Sequence, residues 1–305
     1  MAVSMITYNQ RAFVAQAIDS VLEQRTDFPI HLNIGDDFST DGTQEILRKY
    51  KAAHPDRITL RLSERRGQGR YGRENNVRNI DASRTADYIA LLDGDDYWTD
   101  PNKLQYQVDF LKSNSQYSCI GHDAHLYDEV TNRAVGAVSD SVDRLLDRST
   151  IERSAFDLDQ EAIFRFMPQT STLCFRSSAL PKFSPWFWRI PAADRAILML
   201  LAGSGAVRFD RRIMSVYRIH AASEWHTITH AKDDTFINWK RMSDEMLFEA
   251  FPKANSRRNR AHIQMRDAEY EYKVGEPFAA VRNLGKAFAN DPIITMKTFK
   301  RRILR

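Results

Sequence analysis

Four short apolar runs separated by helical stretches occupy the first 115 of 305 residues, and this alternation narrows the fold more than any other feature. The runs are 2–7 (AVSMIT), 30–35 (IHLNIG), 57–62 (RITLRL) and 87–92 (DYIALL). Helical periods fall at 11–24, 41–53, 73–83 and 101–113. In the first of these, Ala12, Ala15, Ile18, Val21 and Leu22 share one face. Asp100 can cap the fourth, with Pro101 as its first residue. Such spacing predicts an α/β fold, a mostly parallel central sheet with helices on both faces. Ligands of these sheets bind at the carboxyl ends of the strands. The polar clusters 7-TYN-9, 36-DDFSTDGT-43 and 93-DGDD-96 all fall at such ends.

The rest of the chain is less regular. Strands are expected at 118–127, 170–176 and 206–218, a helix at 192–202 and a loop at 139–150. From 233 onward the pattern is helical. Within 268-AEYEYKVGEPFAAVRNLGKAFANDP-292, Ala268, Tyr272, Gly275, Ala279, Ala287 and Pro292 resemble one tetratricopeptide-type helix pair joined at Gly275. A single such pair cannot bury its own face, so it is expected to pack on the main domain or on a partner.

The net charge is +4 and the sequence pI about 9.0, but the basic residues concentrate late. Arg257, Arg258 and Arg260 precede a closing run of Lys297, Lys300, Arg301, Arg302 and Arg305. An anionic partner and a solvated helix face both fit this charge. The tail 296-MKTFKRRILR-305 pairs Phe299, Ile303 and Leu304 with basic residues, as an interfacial helix does; a disordered basic end has the same composition. Cys119 and Cys174, far apart and without histidines at metal spacing, read as reduced core residues of a cytosolic protein. The opening MAVSMITYNQ lacks a signal-peptide layout, and no apolar run reaches the ~18 residues of a membrane span. A cytoplasmic chain is expected, attached to a membrane at most peripherally.

The acidic clusters carry the chemistry. Asp93, Asp95 and Asp96 end an apolar run and repel one another unless a cation is present. A hard cation, Mg²⁺ or Mn²⁺, takes one or two carboxylates together with water and phosphate oxygens. The alternative, an acidic turn capping the next helix, is already served by Asp100. In the second cluster, Ser39 and Asp41 are placed to cap the helix near 43, which leaves Asp36 and Asp37 unexplained. A carboxylate there can accept the imide N–H of uracil or thymine, with Tyr8 covering the ring.

These residues, in this order, resemble a family 2 glycosyltransferase of the GT-A (Rossmann-like) fold. The matching stretches are 3-VSMITYN-9, 17-AIDSVLEQ-24, 34-IGDDFSTDGTQEIL-47, 88-YIALLDGDDYWTDPNKLQYQVDFL-111, 191-PAADRAILMLLAGSG-205 and 215-SVYRIHAASEW-225. They span about 1–230, and the GDDYW form is similar to a bacterial subgroup of surface-polysaccharide assembly. The resemblance implies a nucleotide-binding half at 1–115, an acceptor and catalytic half at 116–230, and a helical extension at 231–305 bearing the helix pair and basic tail. It places Thr7, Tyr8, Asn9, Asp36, Asp37, Arg73 and Asp93 at the nucleotide. Asp95 becomes the direct metal ligand, with Asp93 and His220 beside it. Asp194 becomes the catalytic base. Asp96, His122, Arg195 and Trp225 are assigned to the donor and acceptor pocket.

The implied reaction is metal-dependent, inverting transfer of a sugar from a UDP-sugar, or a dTDP-sugar, to a hydroxyl of a glycan or lipid-linked glycan. Asp194 has a local alternative, a negative charge in the first turn of a helix. Ala193-Asp194-Arg195 stands where the family has Gly-Asp-Trp, and 220-HAASEW-225 where relatives are Gly-rich. His122 and His125 flank Asp123 without a third ligand for zinc, and Gly67, Gly69 and Gly72 lack a Walker lysine. Arg73 and Arg78 fit either a diphosphate or solvent. Competing functions are a sugar-phosphate nucleotidyltransferase, whose Gly-rich loop after the first strand is missing here, and a non-catalytic scaffold. Nucleic acid is not an expected partner, because the strand ends are acidic.

Overall fold

A computed structural model of the chain describes residues 1–67, 73–141, 154–191, 193–221, 223 and 234–296. The expected alternation is present. Strand β1 (Ala2–Thr7) leads through α1 (Val14–Leu22) to β2 (His31–Asp36), α2 (Thr43–Ala53), β3 (Ile58–Leu62), α3 (Arg73–Ser83) and β4 (Tyr88–Asp93). These four strands pair in parallel in the order β3-β2-β1-β4. β1 runs outward to β2 and β3, and the chain then returns to the other side of β1. That reversal opens a crevice at the carboxyl ends of β1 and β4.

Beyond β4 the sheet is mixed. β5 (Tyr97–Trp98), α4 (Lys103–Ser113), β6 (Tyr117–Asp128) and β7 (Arg133–Ala137) are followed by β8 (Ala155–Leu158), α5 (Gln160–Arg165) and β9 (Cys174–Arg176). Then come α6 (Ala193–Ser204) and β10 (Ala206–Ile219). β9 inserts antiparallel between β4 and β6, while β10 runs parallel to β6. The parallel arrangement therefore holds for the first four strands and for β6 with β10, and β5, β7, β8 and β9 are antiparallel. The short β5, β7 and β8 and helix α5 lack a long apolar period, and the sequence did not announce them.

Both faces of the central strands are buried, and their residues divide between two cores by alternation. On β4, Ala90 and Leu92 join a core with Val14, Ile18, Leu47, Leu104 and Val108 of α1, α2 and α4. Ile89 and Leu91 face the opposite core, covered by Val77 and Ile80 of α3 and by Ile197, Leu198 and Leu201 of α6. The two cysteines follow the same rule, Cys119 on one face and Cys174 on the other, both buried and free.

The C-terminal helices are α7 (Thr235–Ala250), α8 (Arg257–Lys273) and α9 (Pro277–Asn290). α8 and α9 pack side by side around Gly275, whose φ of 84° suits glycine, with Pro277 opening α9. α8 turns Asn259, Ala261, Met265 and Ala268 inward. Asn259 meets Arg165 of α5, and Arg266 pairs with Asp244 of α7. Among the described residues, no helix is long and apolar enough to cross a membrane. The expected loop at 139–150 and the basic tail from 297 fall largely or wholly outside the described residues.

Candidate active site

The crevice between β1 and β4 holds a cavity of about 310 Å³. Tyr8 and Asp37 line it, and so do Asp93, Asp95, Asp194 and His220. Thr7, Asn9 and Arg73 line it as well. Nine residues singled out in the sequence therefore share one cavity wall.

Asp36 and Asp37 separate sharply. Asp36 is wholly buried and accepts four hydrogen bonds, from Thr7 Oγ1 (2.9 Å), Ser39 N (2.9 Å), Ser39 Oγ (2.5 Å) and Gln44 Nε2 (2.7 Å). Its carboxylate fastens the turn after β2 and lies outside the cavity lining, which corrects the expectation that it meets the nucleotide. Asn9, at φ 50°, ties the same turn to β1: its N–H donates to Ser39 Oγ at 2.8 Å, and its Oδ1 accepts from Thr40 N at 2.9 Å. Asp37 faces the cavity. Its Oδ1 accepts from Gly67 N (2.7 Å) and Asn75 Nδ2 (2.5 Å), and its Oδ2 lies 3.0 Å from Arg66 Nη1. The Arg66 guanidinium also covers the Tyr8 ring, 3.4 Å from its centroid. A flat ring entering to stack on Tyr8 would thus meet Arg66 first.

At the β4 end, Gly94 is dictated by space. A Cβ there would stand 2.5 Å from Gln10 Oε1 and 2.6 Å from Thr7 Cγ2. Gly94 N–H donates to Ile6 O at 3.0 Å, stitching the acidic turn to β1. Burial, followed by the charges of Asp95 and Asp194, pushes the Asp93 carboxyl up to about 7. Asp95 Oδ2 sits 3.1 Å from His220 Nε2. Asp96 points away from the cavity: it is buried, accepts from Ser171 Oγ (2.7 Å) and Arg218 N (3.0 Å), and burial raises its carboxyl well above the usual range. Its expected place in the pocket is corrected to one in the wall behind. Trp98 of the same turn is core, its Nε1 donating to Ser171 O at 2.8 Å.

Asp194 opens the first turn of α6 with its side chain exposed to the cavity. The segment leading to it is held by Arg73, whose guanidinium donates to the carbonyls of Phe187 (3.0 Å), Trp188 (3.0 Å) and Pro191 (3.2 Å). A guanidinium that supplies three carbonyls has little left for a diphosphate. Arg195 turns away, donating to Phe164 O at 3.1 Å, and its side chain is not part of the cavity lining. His122 lies fully buried inside β6, with Nδ1 2.8 Å from Asp123 O, so it belongs to the core and not to a sugar pocket. Trp225 lies outside the described residues.

Two further residues enter the site. Arg218, buried behind the acidic turn, donates to the Asp95 carbonyl and pairs with Glu129 at 2.6 Å. It stands inside the quoted YRIH stretch, but only the fold shows it bracing Asp95. Trp239 of α7 lines the cavity from beyond residue 230, and the sequence offers no local signal for it.

Among the described residues, no three carboxylate, imidazole or thiol groups gather as a ready metal cage. The donor set that fits a divalent cation is the adjacent pair Asp95 and His220. Hard cations at phosphate sites commonly take one or two protein groups and complete their shell with phosphate oxygens and water. His220 Nδ1 is buried without a hydrogen-bond partner, and the ring packs 4.7 Å from the Phe13 ring.

Comparison with known proteins identifies a family and a shared fold. Residues 2–176 match the model of glycosyl transferase family 2. An uncharacterised protein of Mycobacterium tuberculosis is 30% identical over 229 residues, covering 74% of this chain and 61% of the relative's own length. The chain thus spans less than two thirds of that relative. An Escherichia coli UDP-Glc:α-D-GlcNAc-diphosphoundecaprenol β-1,3-glucosyltransferase is 30% identical over 117 residues, 38% of this chain and 43% of the relative. In structure, residues 1–349 of S. aureus TarS with UDP-GlcNAc superpose with a TM-score of 0.60 at 15% identity, covering 97% of this chain and 83% of that fragment. A Pyrobaculum calidifontis mannosyltransferase with GDP-Man and Mn²⁺ gives 0.57 at 15% identity, over 94% and 74% of the two chains.

Proposed function

From a chain that belongs to glycosyl transferase family 2, we propose an inverting transferase that moves a sugar from a UDP-sugar to a hydroxyl of a glycan or lipid-linked glycan. The observation that carries this reading is one cavity lined both by a base-sized aromatic and carboxylate, Tyr8 and Asp37, and by Asp93, Asp95, His220 and Asp194.

Each side chain has a task on this reading. Tyr8 stacks on the pyrimidine once Arg66 swings aside, and Asp37 accepts its imide N–H. Asp93 meets the ribose or the cation. Asp95 and His220 hold a Mn²⁺ or Mg²⁺ ion, which when bound neutralises charge developing on the departing diphosphate. Asp194 accepts the proton of the acceptor hydroxyl as its oxygen attacks the anomeric carbon. The new C–O bond forms on the face opposite the leaving diphosphate, the old C–O bond breaks, and the anomeric centre inverts. Trp239, which lines the same cavity as Asp194, offers a flat apolar surface for the acceptor sugar. UDP is favoured over dTDP because TarS, of the same fold, carries UDP-GlcNAc, and the E. coli relative points to an acceptor on a polyprenyl diphosphate. The GDDYW form of the acidic turn fits assembly of a bacterial surface polysaccharide.

The test is calorimetric titration of UDP and dTDP, with Mn²⁺ and with EDTA, into the wild type and Asp95→Ala. Mn²⁺-dependent UDP binding that disappears in the variant supports the assignment. Folded protein that binds neither nucleotide overturns it.

A further inference from the structure

Helix α9 is built inside out for a water-facing element. Ala280 and Ala287 are buried against α8, so its small residues look inward. Its large ones look out. Phe278 is 88% exposed, Val281 67% and Phe288 50%. The spacing of 278, 281, 285 and 288 keeps Phe278, Val281, Gly285 and Phe288 on one side of the helix. Tyr272 before the helix, and Ile293 and Met296 after it, are exposed too. Single exposed hydrophobics are ordinary, but a run of six large ones on one helical hairpin is an interaction surface. The hairpin's other side is already spoken for, since α8 packs its inner face on α5 and α7 through Asn259 and Arg266.

The charge around this face selects its occupant. Arg282 and Lys286 are exposed on α9, and at helical spacing both lie along one edge of the apolar stripe. Between 272 and 305 there are eight basic residues against two acidic ones, Glu276 and Asp291. A second copy docked on the same face would set these cations against themselves. An anionic lipid surface accepts both components, burying the aromatic and aliphatic side chains at the acyl boundary while the basic ones meet the headgroups.

We propose that the outer face of α9, with Phe278, Val281 and Phe288 bordered along one edge by Arg282 and Lys286, docks the protein on an anionic lipid bilayer. The helix lies in the plane of the interface and does not cross it. The inference is independent of the catalytic reading, because none of these residues touches the cavity.

Co-sedimentation of the full chain with vesicles tests it, using phosphatidylglycerol mixed into phosphatidylcholine and phosphatidylcholine alone. Binding is expected to the mixed vesicles and to weaken with added salt. Phe278→Ser with Phe288→Ser, and separately Arg282→Gln with Lys286→Gln, should each weaken it by roughly tenfold or more. Both pairs are solvent-exposed, so circular dichroism should report unchanged folding, and UDP titration an unchanged nucleotide site. Three results overturn the proposal: no vesicle binding by the wild type, equal binding to neutral vesicles, or full binding by the Phe278→Ser, Phe288→Ser protein. A dimer in sedimentation analysis that the same phenylalanine changes dissociate would also overturn it, assigning the face to self-association.

Discussion

His220 Nε2 lies 3.1 Å from Asp95 Oδ2, although 125 residues separate them in the chain. The contact joins the end of the long β10 to the turn after β4, and Arg218 braces that turn from behind. If this pair holds the cation, His220→Ala removes one of two protein donors, together with a ring contact to Phe13. Turnover is expected to fall by roughly 10²-fold, in the range found for loss of one group that stabilises developing charge. Raising the Mn²⁺ concentration should recover part of the loss. A variant with wild-type turnover and wild-type Mn²⁺ dependence would remove His220 from the site.

Asp194→Asn separates proton transfer from binding. An amide cannot take the acceptor proton, so kcat is expected to drop by about 10²–10⁴-fold. UDP affinity should stay within about threefold, because no binding contact to the base or diphosphate is assigned to this side chain. Stopped-assay kinetics beside calorimetry check both. Loss of UDP affinity in parallel with kcat would move Asp194 from base to donor ligand.

Arg73 offers a test between two roles. Its three carbonyl bonds fix the backbone from Phe187 to Pro191, just ahead of Asp194. Arg73→Gln should therefore leave UDP affinity near the wild type while turnover falls about tenfold to a hundredfold, the scale of a misplaced catalytic group. It should also lower stability by about 1–3 kcal/mol, since buried carbonyls lose their donors. If UDP binding weakens as much as turnover, Arg73 contacts the diphosphate after all.

Lys103 gives a pH prediction. Its ammonium is buried 4.0 Å from the Trp98 ring centroid and 2.7 Å from Gln107 Oε1, and burial pushes its pKa down to about 7. An unfolded lysine titrates near ~10.4. Between these values the unfolded chain binds more protons than the folded one, so this residue makes stability rise with pH from about 7 to about 10. Lys103→Met removes that slope. Between pH 7 and 9 the wild type should gain roughly 2 kcal/mol relative to the variant in denaturant melts. Gln107 keeps its bonds to Ile120 O and Thr172 O in either protein. Parallel pH profiles for the two proteins would show that Lys103 is charged in the fold at neutral pH.

The sequence by itself determined the local elements and the edge of the sheet that carries chemistry. Apolar runs of strand length, helical periods of three and four, and the break at Gly275 are properties of neighbouring residues, and neighbouring residues are what a sequence records; the fourth helix starts at Lys103 after Asn102, two residues later than Pro101 suggested. Polar clusters at strand ends followed from the same reading, which is why Tyr8, Asp37, Asp93 and Asp95 were legible as candidates; Asp194 and His220 were named only by the family resemblance. The tertiary structure alone decided which member of each cluster faces the cavity. Asp36 and Asp37 are adjacent, yet one is consumed by four donors in a turn and the other lines the pocket. Asp95 and Asp96 divide the same way, because adjacent side chains leave the backbone in different directions and Ser171 and Arg218 wait on one side only. His122 was lost to the core because both faces of β6 are covered, and Arg73 and Arg195 were claimed by carbonyls more than a hundred and more than thirty positions distant, respectively. Trp239 reached the cavity from a helix that no local pattern ties to it. Side-chain direction at a strand end, and partners far apart along the chain, depend on packing, which exists only once the layers have closed.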